Sequence, residues 1–211
     1  MKAKHTVHNL IILDESGSMN SIKHQIISGF NELVQTIKGV AEEYPEQEHY
    51  ITFISFNTLG TSTHLDGQRV KELEEINGEK YQPRASTPLF DAMGFGINKL
   101  RAKSKGVEAN TNVLVTVLTD GLENASREYN KAAIKSLVEE MEAQRWTFTY
   151  IGTDHDVERF ADSLSIKNTM SFDKSFSGIQ SMFRIERASR GRYSQKIREN
   201  KDTKSDYYSE E

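Results

Sequence analysis

The stretch HNLIILDESGS, residues 8–18, joins an apolar run to a loop rich in oxygen-bearing side chains. The apolar run ends abruptly at Asp14. A short run of this kind is typical of a strand that is buried in a sheet. In open parallel sheets, functional side chains lie in the loops that follow the carboxyl ends of the strands. The loop that begins at Asp14 is therefore the first candidate site.

Short apolar runs alternate with segments of helical periodicity along the rest of the chain. Strands are predicted at residues 8–13, 50–56, 61–70, 112–118, 147–151 and 169–172. Helices are predicted at residues 21–44, from Pro88, after a cap at Ser126, at 157–164 and at 176–188. This alternation predicts an α/β fold: a three-layer, doubly wound (Rossmann-like), mostly parallel central sheet with helices on both faces. The turn-like pair Leu59-Gly60 predicts a hairpin between the second and third strands.

Length and charge place limits on the domain organisation. The chain has 211 residues and a formal net charge of −4, which suits one domain and gives no reason to expect nucleic acid as a partner. We assign residues 1–190 to that domain and residues 191–211 to a polar, flexible C-terminal tail. The stretch 184–204 contains eight Lys or Arg against three Asp or Glu. It is interpreted as the solvated face of a frayed helix, with a docking patch for an anion as the alternative.

Two absences in the sequence restrict the chemistry and the location. The chain has no cysteine, which excludes disulfides, zinc–thiolate sites and cysteine nucleophiles. No apolar stretch approaches the ~18 residues that a membrane helix requires. The run 10–13 is also far too short for a secretion signal. We therefore predict a cytoplasmic protein with no membrane partner.

Three loops that follow strands or open a helix carry the candidate site. They are residues 14–18 (DESGS), 86–88 (STP) and 119–121 (TDG). Their ligand candidates are Asp14, Ser16, Ser18, Thr87 and Asp120. Two carboxylates and three hydroxyls form a hard, oxygen-only set that suits a divalent cation: Mg²⁺ first, with Mn²⁺ or Ca²⁺ as alternatives. Neutral hydroxyl ligands leave such a cation electrophilic, so that a carboxylate from outside can complete its coordination.

This pattern resembles the metal-ion-dependent adhesion site (MIDAS) of von Willebrand factor type A (vWA) domains. The likeness rests on Asp14-x-Ser16-x-Ser18, on Thr87 and on Asp120-Gly121, in this order, and it covers about residues 6–190. It implies that Ser16, Ser18 and Thr87 bind the metal directly, and that Asp14 and Asp120 act directly or through water. It also implies a protein-binding module, without enzymatic activity, whose cation takes an Asp or Glu side chain of a partner protein. In some relatives the last helix moves when the site changes its ligand.

Several of these residues also have simpler interpretations. Asp14, Ser16 and Ser18 could cap the helix that follows, because Asp and Ser are frequent at helix N-termini. Glu15, Glu123 and Asn124 are candidates for a partner-binding rim, and the last two could instead belong to a solvated loop. The sequence Asp154-His155-Asp156 is tempting as a second metal site, but a cap for the helix near Val157 is favoured.

The main alternative function is a Mg²⁺-dependent phosphatase or phosphotransferase similar to the haloacid dehalogenase group. Those enzymes use an Asp at the end of the first strand, as Asp14 would be here, and an acidic residue two positions later. That position is Ser16, which cannot act as a general acid or base at neutral pH. Glycine-rich nucleotide-binding motifs and the G-x-S-x-G motif of serine hydrolases do not occur.

Overall fold

The computed structural model describes residues 5–103 and 110–209. Within them the strands are β1 (His5–Asp14), β2 (Gln47–Asn57), β3 (Gly60–Arg69), β4 (Thr111–Leu118), β5 (Trp146–Gly152) and β6 (Asn168–Ser171). The α-helices are α1 (Lys23–Glu43), α2 (Leu89–Lys103), α3 (Lys131–Glu142), α4 (Val157–Asp162) and α5 (Phe176–Arg198). Short 3-10 turns cover Gly17–Ile22 and Val70–Glu72.

The strands form one sheet in the order β3-β2-β1-β4-β5-β6. All neighbours are parallel except β2 and β3, which pair antiparallel through the hairpin at Leu59-Gly60. The central strands β1 and β4 pair in register, with Leu13 opposite Leu118. The chain therefore leaves both strands side by side, with Asp14 on one and Thr119-Asp120 after the other. The predicted α/β class and mostly parallel sheet are confirmed.

Alternation along β1 divides the core into two layers. Leu10 and Ile12 belong to the apolar cluster that includes side chains of α2, α3 and α4. Ile11 and Leu13 point to the other face, into the cluster formed with α1 and α5. Because successive side chains of a strand point to opposite faces, a fully buried strand reads as a continuous apolar run. The apolar run at residues 8–13 is therefore part of a central strand of a three-layer fold.

Two predicted helix caps differ from the structure. The predicted start of the first helix, with Asn20 or Ser21 as its cap, lies in the 3-10 turn, and α1 begins at Lys23 without a side-chain cap. Helix α3 begins at Lys131, where Asn130 accepts a hydrogen bond from the amide of Ala133. Ser126, the predicted cap, instead belongs to the preceding loop. Residue preferences predict that a polar residue caps a helix start. Several serines and asparagines lie near each of these starts, so the preference does not identify which of them is the cap.

The C-terminal segment differs from the tail expected from residue 191. Helix α5 continues through Gly191 to Arg198 and buries Tyr193 and Ile197. The segment after it returns to the protein, where Tyr207 is buried in a third apolar cluster with Val7 of β1. The predicted bounds 1–190 and 191–211 therefore do not separate packed from unpacked chain in the described residues. Residues 1–4, 104–109 and 210–211 lie outside them.

The basic stretch 184–204 is largely paired within the described chain. Arg190 is buried against Glu186 with 2.9 Å between the guanidinium and carboxylate atoms, and Arg198 pairs with Glu46 at 2.7 Å. Arg187 pairs with Glu32 on α1. These contacts do not fit the frayed helix that the sequence suggested. None of the helices in the described residues has the length and apolar character needed to span a membrane.

Candidate metal centre

The loop after β1 brings two serine hydroxyls together beside the buried carboxylate of Asp14. Asp14 is fully buried, and its Oδ1 accepts a 2.7 Å hydrogen bond from the amide of Ser16. The hydroxyls of Ser16 and Ser18 lie 3.1 Å apart. The two-residue spacing therefore places both hydroxyls on the same side of the loop, while Gly17 turns the chain between them.

Asp120 meets this loop from the end of β4. Ser18 Oγ donates a 2.6 Å hydrogen bond to Asp120 Oδ1, although 102 residues separate the two in the chain. The other oxygen, Asp120 Oδ2, is buried and makes no hydrogen bond of good geometry, but the ammonium of Lys174 lies 2.9 Å from it. A buried carboxylate is stable when it is paired with a cation, and in this structure the ammonium of Lys174 is that cation.

Thr87 lies in the loop 86–88 and approaches the loop of Asp120 at Gly121. A Cβ atom built on Gly121 would lie 4.0 Å from Thr87 Oγ1. The amide of Thr87 donates to Asn124 Oδ1 at 3.0 Å, and Asn124 donates its amide to the carbonyl of Thr87 at 3.2 Å. This reciprocal pair fastens the loop before α2 to the loop after β4. Gly17 in turn donates to the carbonyl of Ala85 at 3.0 Å, so the three loops are joined by backbone hydrogen bonds.

The electrostatics of the centre are dominated by burial of its carboxylates. Burial raises the pKa of Asp14 to about 6, and the nearby charge of Asp120 contributes to the increase. Hydrogen bonds from Thr119 and Ser16 act in the opposite direction. The cause is desolvation, which penalises the ionised form when no opposite charge is close enough to compensate. A divalent cation at this point would supply that opposite charge.

The three predicted rim residues have contacts inside the protein. Glu15 Oε2 accepts from Ser55 Oγ at 2.6 Å, and its Oε1 accepts from the amide of Gln82 at 2.5 Å. Glu123 accepts from the amide of Phe90 at 2.9 Å, at the start of α2. Asn124 is the residue that holds Thr87. In this structure the three side chains therefore position the loops of the site, and Asn124 also reaches the surface.

Three contributors were not predicted from the sequence. Thr119 Oγ1 donates to Asp14 Oδ2 at 2.6 Å, and Tyr81 donates its hydroxyl to the Asp14 carbonyl at 2.7 Å. Lys174, from the loop between β6 and α5, pairs with Asp120. Thr119 lies in the candidate loop 119–121, but the sequence assigned it no role in the site. Nothing in the sequence connects Tyr81 or Lys174 to the site.

The two aspartates of the sequence Asp154-His155-Asp156 have different roles. Asp156 caps α4 by accepting from the amide of Arg159 at 3.1 Å, as the favoured interpretation predicted. Asp154 turns the other way and pairs with Lys174 at 2.5 Å. Among residues 5–103 and 110–209, no group of three or more His, Asp or Glu side chains is arranged to hold a metal ion. A cation at the centre would therefore depend on the hydroxyl ligands as well as on Asp14 and Asp120.

The fold agrees with a known family. The family model of the von Willebrand factor type A domain matches residues 10–185. The chain belongs to this family. The vWA match begins inside β1 and ends inside α5, so it includes every loop of the candidate centre. Comparison with curated proteins gave no match.

Solved structures of other proteins are similar to this chain at low sequence identity. The VWA domain of SpRpn10 shares 12% identity at a TM-score of 0.57, over 85% of this chain and 94% of that one. The pilus adhesin SpaC from Lactobacillus rhamnosus GG shares 12% at 0.63, over 95% of this chain and 31% of that one. Proximal thread matrix protein 1 from the mussel byssus shares 14% at 0.57, over 87% and 47%. This chain thus spans less than half of the latter two proteins, and at such identities the likeness concerns the fold.

vWA domains are commonly protein-interaction modules, and the family assignment supports a binding role more than a catalytic one. The phosphatase interpretation, which used Asp14 as a nucleophile, is not favoured. The residue two positions after Asp14 is Ser16, whose hydroxyl faces Ser18. No carboxylate stands there to act as a general acid or base.

Proposed function

We propose that this vWA domain is a metal-dependent protein-binding module. One divalent cation, Mg²⁺ by preference, is held by Asp14, Ser16, Ser18, Thr87 and Asp120 and coordinates an Asp or Glu side chain of a partner protein. The observation that carries the proposal is the hydrogen bond from Ser18 to Asp120, which unites two loops that are distant in sequence. We further propose that the protein acts by binding rather than by catalysis. Its cytoplasmic location stays a prediction.

The chemistry of the ligand set supports capture of a carboxylate. Hydroxyl oxygens are hard, uncharged donors, and Mg²⁺ binds oxygen ligands in octahedral geometry while keeping some positions for water or a ligand. The bound cation supplies a positive charge at the carboxyl edge of the sheet. A carboxylate of the partner then replaces water on the cation and pairs with charge that the protein leaves partly uncompensated.

The first test measures whether the folded protein binds a cation. Thermal unfolding is recorded after chelation and after addition of Mg²⁺, Mn²⁺ or Ca²⁺, for the wild type and for Asp120→Asn. A cation at 100 times its dissociation constant adds about 2.7 kcal/mol when it binds only the folded state. We expect a cation-dependent increase in the wild type that Asp120→Asn loses. Asp162→Asn, on the exposed side of α4, is the matched control and should keep the increase.

The second test addresses the partner. Proteins retained by the immobilised domain are compared in Mg²⁺ and in a chelator. Thr87→Val keeps the shape of Thr87 but removes its ligand oxygen, so it should lose the Mg²⁺-dependent partners. Ser86→Ala, at the exposed neighbouring position, should keep them. Retention that is the same in both buffers, or unaffected by Thr87→Val, would contradict the proposed mechanism.

A further inference from the structure

We propose that Lys174 is an internal counter-ion of this centre: its ammonium neutralises Asp120 while the divalent cation is absent and competes with that cation for the site. The inference rests on the proposed cation site and adds a regulator to it. It starts from a contact that the five-residue motif does not contain, because Lys174 comes from the loop between β6 and α5.

Lys174 is placed between an inner and an outer carboxylate. Its Nζ lies 2.9 Å from Asp120 Oδ2 and 2.5 Å from Asp154 Oδ2. Asp120 has a fully buried side chain, whereas the side chain of Asp154 is 57% exposed. The ammonium thus compensates the one oxygen of Asp120 that has no hydrogen bond of good geometry. A buried carboxylate without such a partner would be costly.

The two cations exclude each other for an electrostatic reason. A divalent ion held by Asp120 would share that carboxylate with the ammonium of Lys174, and like charges within a few ångströms repel strongly where water is excluded. Binding of the metal therefore requires that the ammonium move outward. Displacing the ammonium costs free energy, which lowers the apparent affinity of the site for the metal.

The structure provides a place to which the ammonium can move. The Lys174 side chain is 27% exposed, and Asp154 already pairs with it on the outer side. The backbone next to Lys174 is fixed, since Asp173 Oδ1 accepts from the amide of Ser175 at 2.7 Å and Ser175 Oγ accepts from the amide of Gly178 at 3.2 Å. A rotation of the lysine side chain alone can therefore open the site, with Asp154 retaining the displaced charge.

The experiment measures cation affinity by calorimetric titration of Mg²⁺ and Mn²⁺ into metal-free protein. Lys174→Met keeps the length of the side chain and removes its charge. An opposite charge at this distance changes ionic equilibria by about 10- to 1000-fold. Partial exposure reduces the effect, so we expect the variant to bind the cation about tenfold more tightly. Lys99→Met is the matched control, because Lys99 pairs with Asp66 and its side chain is 25% exposed; its affinity should equal that of the wild type.

A second variant is expected to change the affinity in the opposite direction. Asp154→Asn removes the outer anchor but suits the positive φ of 62° at this position. Lys174 then has Asp120 as its remaining carboxylate, and cation binding weakens. In the presence of Lys174→Met, the same Asp154→Asn change should have a much smaller effect, since its action depends on the lysine. This comparison distinguishes an effect that acts through Lys174 from the general effect of losing one negative charge near the site.

The outcomes distinguish this inference from the proposed function. Unchanged or weaker cation binding by Lys174→Met, with a wild type that binds, overturns the competition and leaves the metal site intact. No cation binding by the wild type or by any of the variants overturns both the competition and the proposed metal site. The melting temperature in chelator adds an independent readout, because Lys174→Met should lower it by leaving Asp120 without a counter-ion, whereas Lys99→Met should change it much less.

Discussion

At the scale of single residues, the motif of the candidate centre depends on neighbours that are not part of it. Asn124 fixes Thr87 through two hydrogen bonds, and Thr119 donates to Asp14 at 2.6 Å. These contacts fix the backbone at Thr87 and the carboxylate of Asp14 before any cation is present. Preorganisation of this kind matters because a site with loosely held ligands must use binding energy to order them.

Buried titratable groups outside the centre also carry testable consequences. His49 on β2 is buried, and neither ring nitrogen has a hydrogen-bond partner. Burial lowers the pKa of His49 to about 4, and the charges of Arg190 and His5 act in the same direction, while Glu46 opposes them. The folded protein therefore keeps this imidazole neutral at a pH where the unfolded chain protonates it.

We predict an acid-dependent loss of stability from His49. Above about pH 6.5 both states are neutral at this position and the effect is absent. As the pH falls from there towards 4, the unfolded state binds the additional proton, so the free energy of unfolding decreases by about 2 to 3 kcal/mol in all. His49→Leu should remove this part of the pH dependence in urea unfolding. His24→Leu, at an exposed position on α1, should not; equal slopes for His49→Leu and the wild type would contradict the prediction.

At the scale of elements, the strands agree with the sequence better than the helix ends do. A strand buried on both faces has a strong apolar signal, as in β4, where every residue is buried. The end of α5 was predicted ten residues early, because the helix continues with a polar composition past Ala188. The buried ion pair of Glu186 and Arg190 stabilises its later turns. Both residues are charged, so the sequence composition of this segment does not indicate that they are buried.

The contact between α1 and α5 predicts opposite effects for two glycines of the same helix. A Cβ built on Gly29 would lie 2.0 Å from the ring of Phe183 on α5, whereas a Cβ on Gly39 meets nothing within 4 Å. Gly29→Ala should therefore lower the free energy of unfolding by about 1–3 kcal/mol through overpacking. Gly39→Ala should raise it by about 0.5–1 kcal/mol through helix propensity. Urea unfolding of both variants is the measurement, and changes of the same sign would contradict the packing described for this helix pair.

At the scale of the whole molecule, the C-terminal segment closes the end of the sheet opposite the candidate centre. Tyr207 packs with Val7, Leu114 and Tyr193, and its amide donates to Asn168 Oδ1 at 3.0 Å. The segment thus connects β1, β4, β6 and α5. It covers apolar surface that would otherwise be exposed.

Tyr207→Ala tests whether this closure contributes to global stability. Removing a buried aromatic side chain costs about 3–5 kcal/mol, and the variant also removes a partner of Glu186, which lies 3.3 Å from the tyrosine hydroxyl. We expect the lower part of that range by thermal or urea unfolding. Ser209→Ala, at an exposed position in the same segment, should lie within about 0.5 kcal/mol of the wild type. An equally small effect of Tyr207→Ala would favour the flexible tail that the sequence suggested.

The sequence by itself determined the α/β class, the hairpin at Leu59-Gly60, the vWA resemblance and the five candidate ligands. It could do so because a strand buried on both faces and the loop after it are recorded in adjacent residues. Only the tertiary structure decided that Ser18 meets Asp120, that Glu15 and Glu123 hold loops, and that Lys174 reaches the centre. Each of these contacts joins residues that are far apart in the chain. Which residues meet depends on the order of the strands in the sheet, and local periodicity in the sequence does not determine that order.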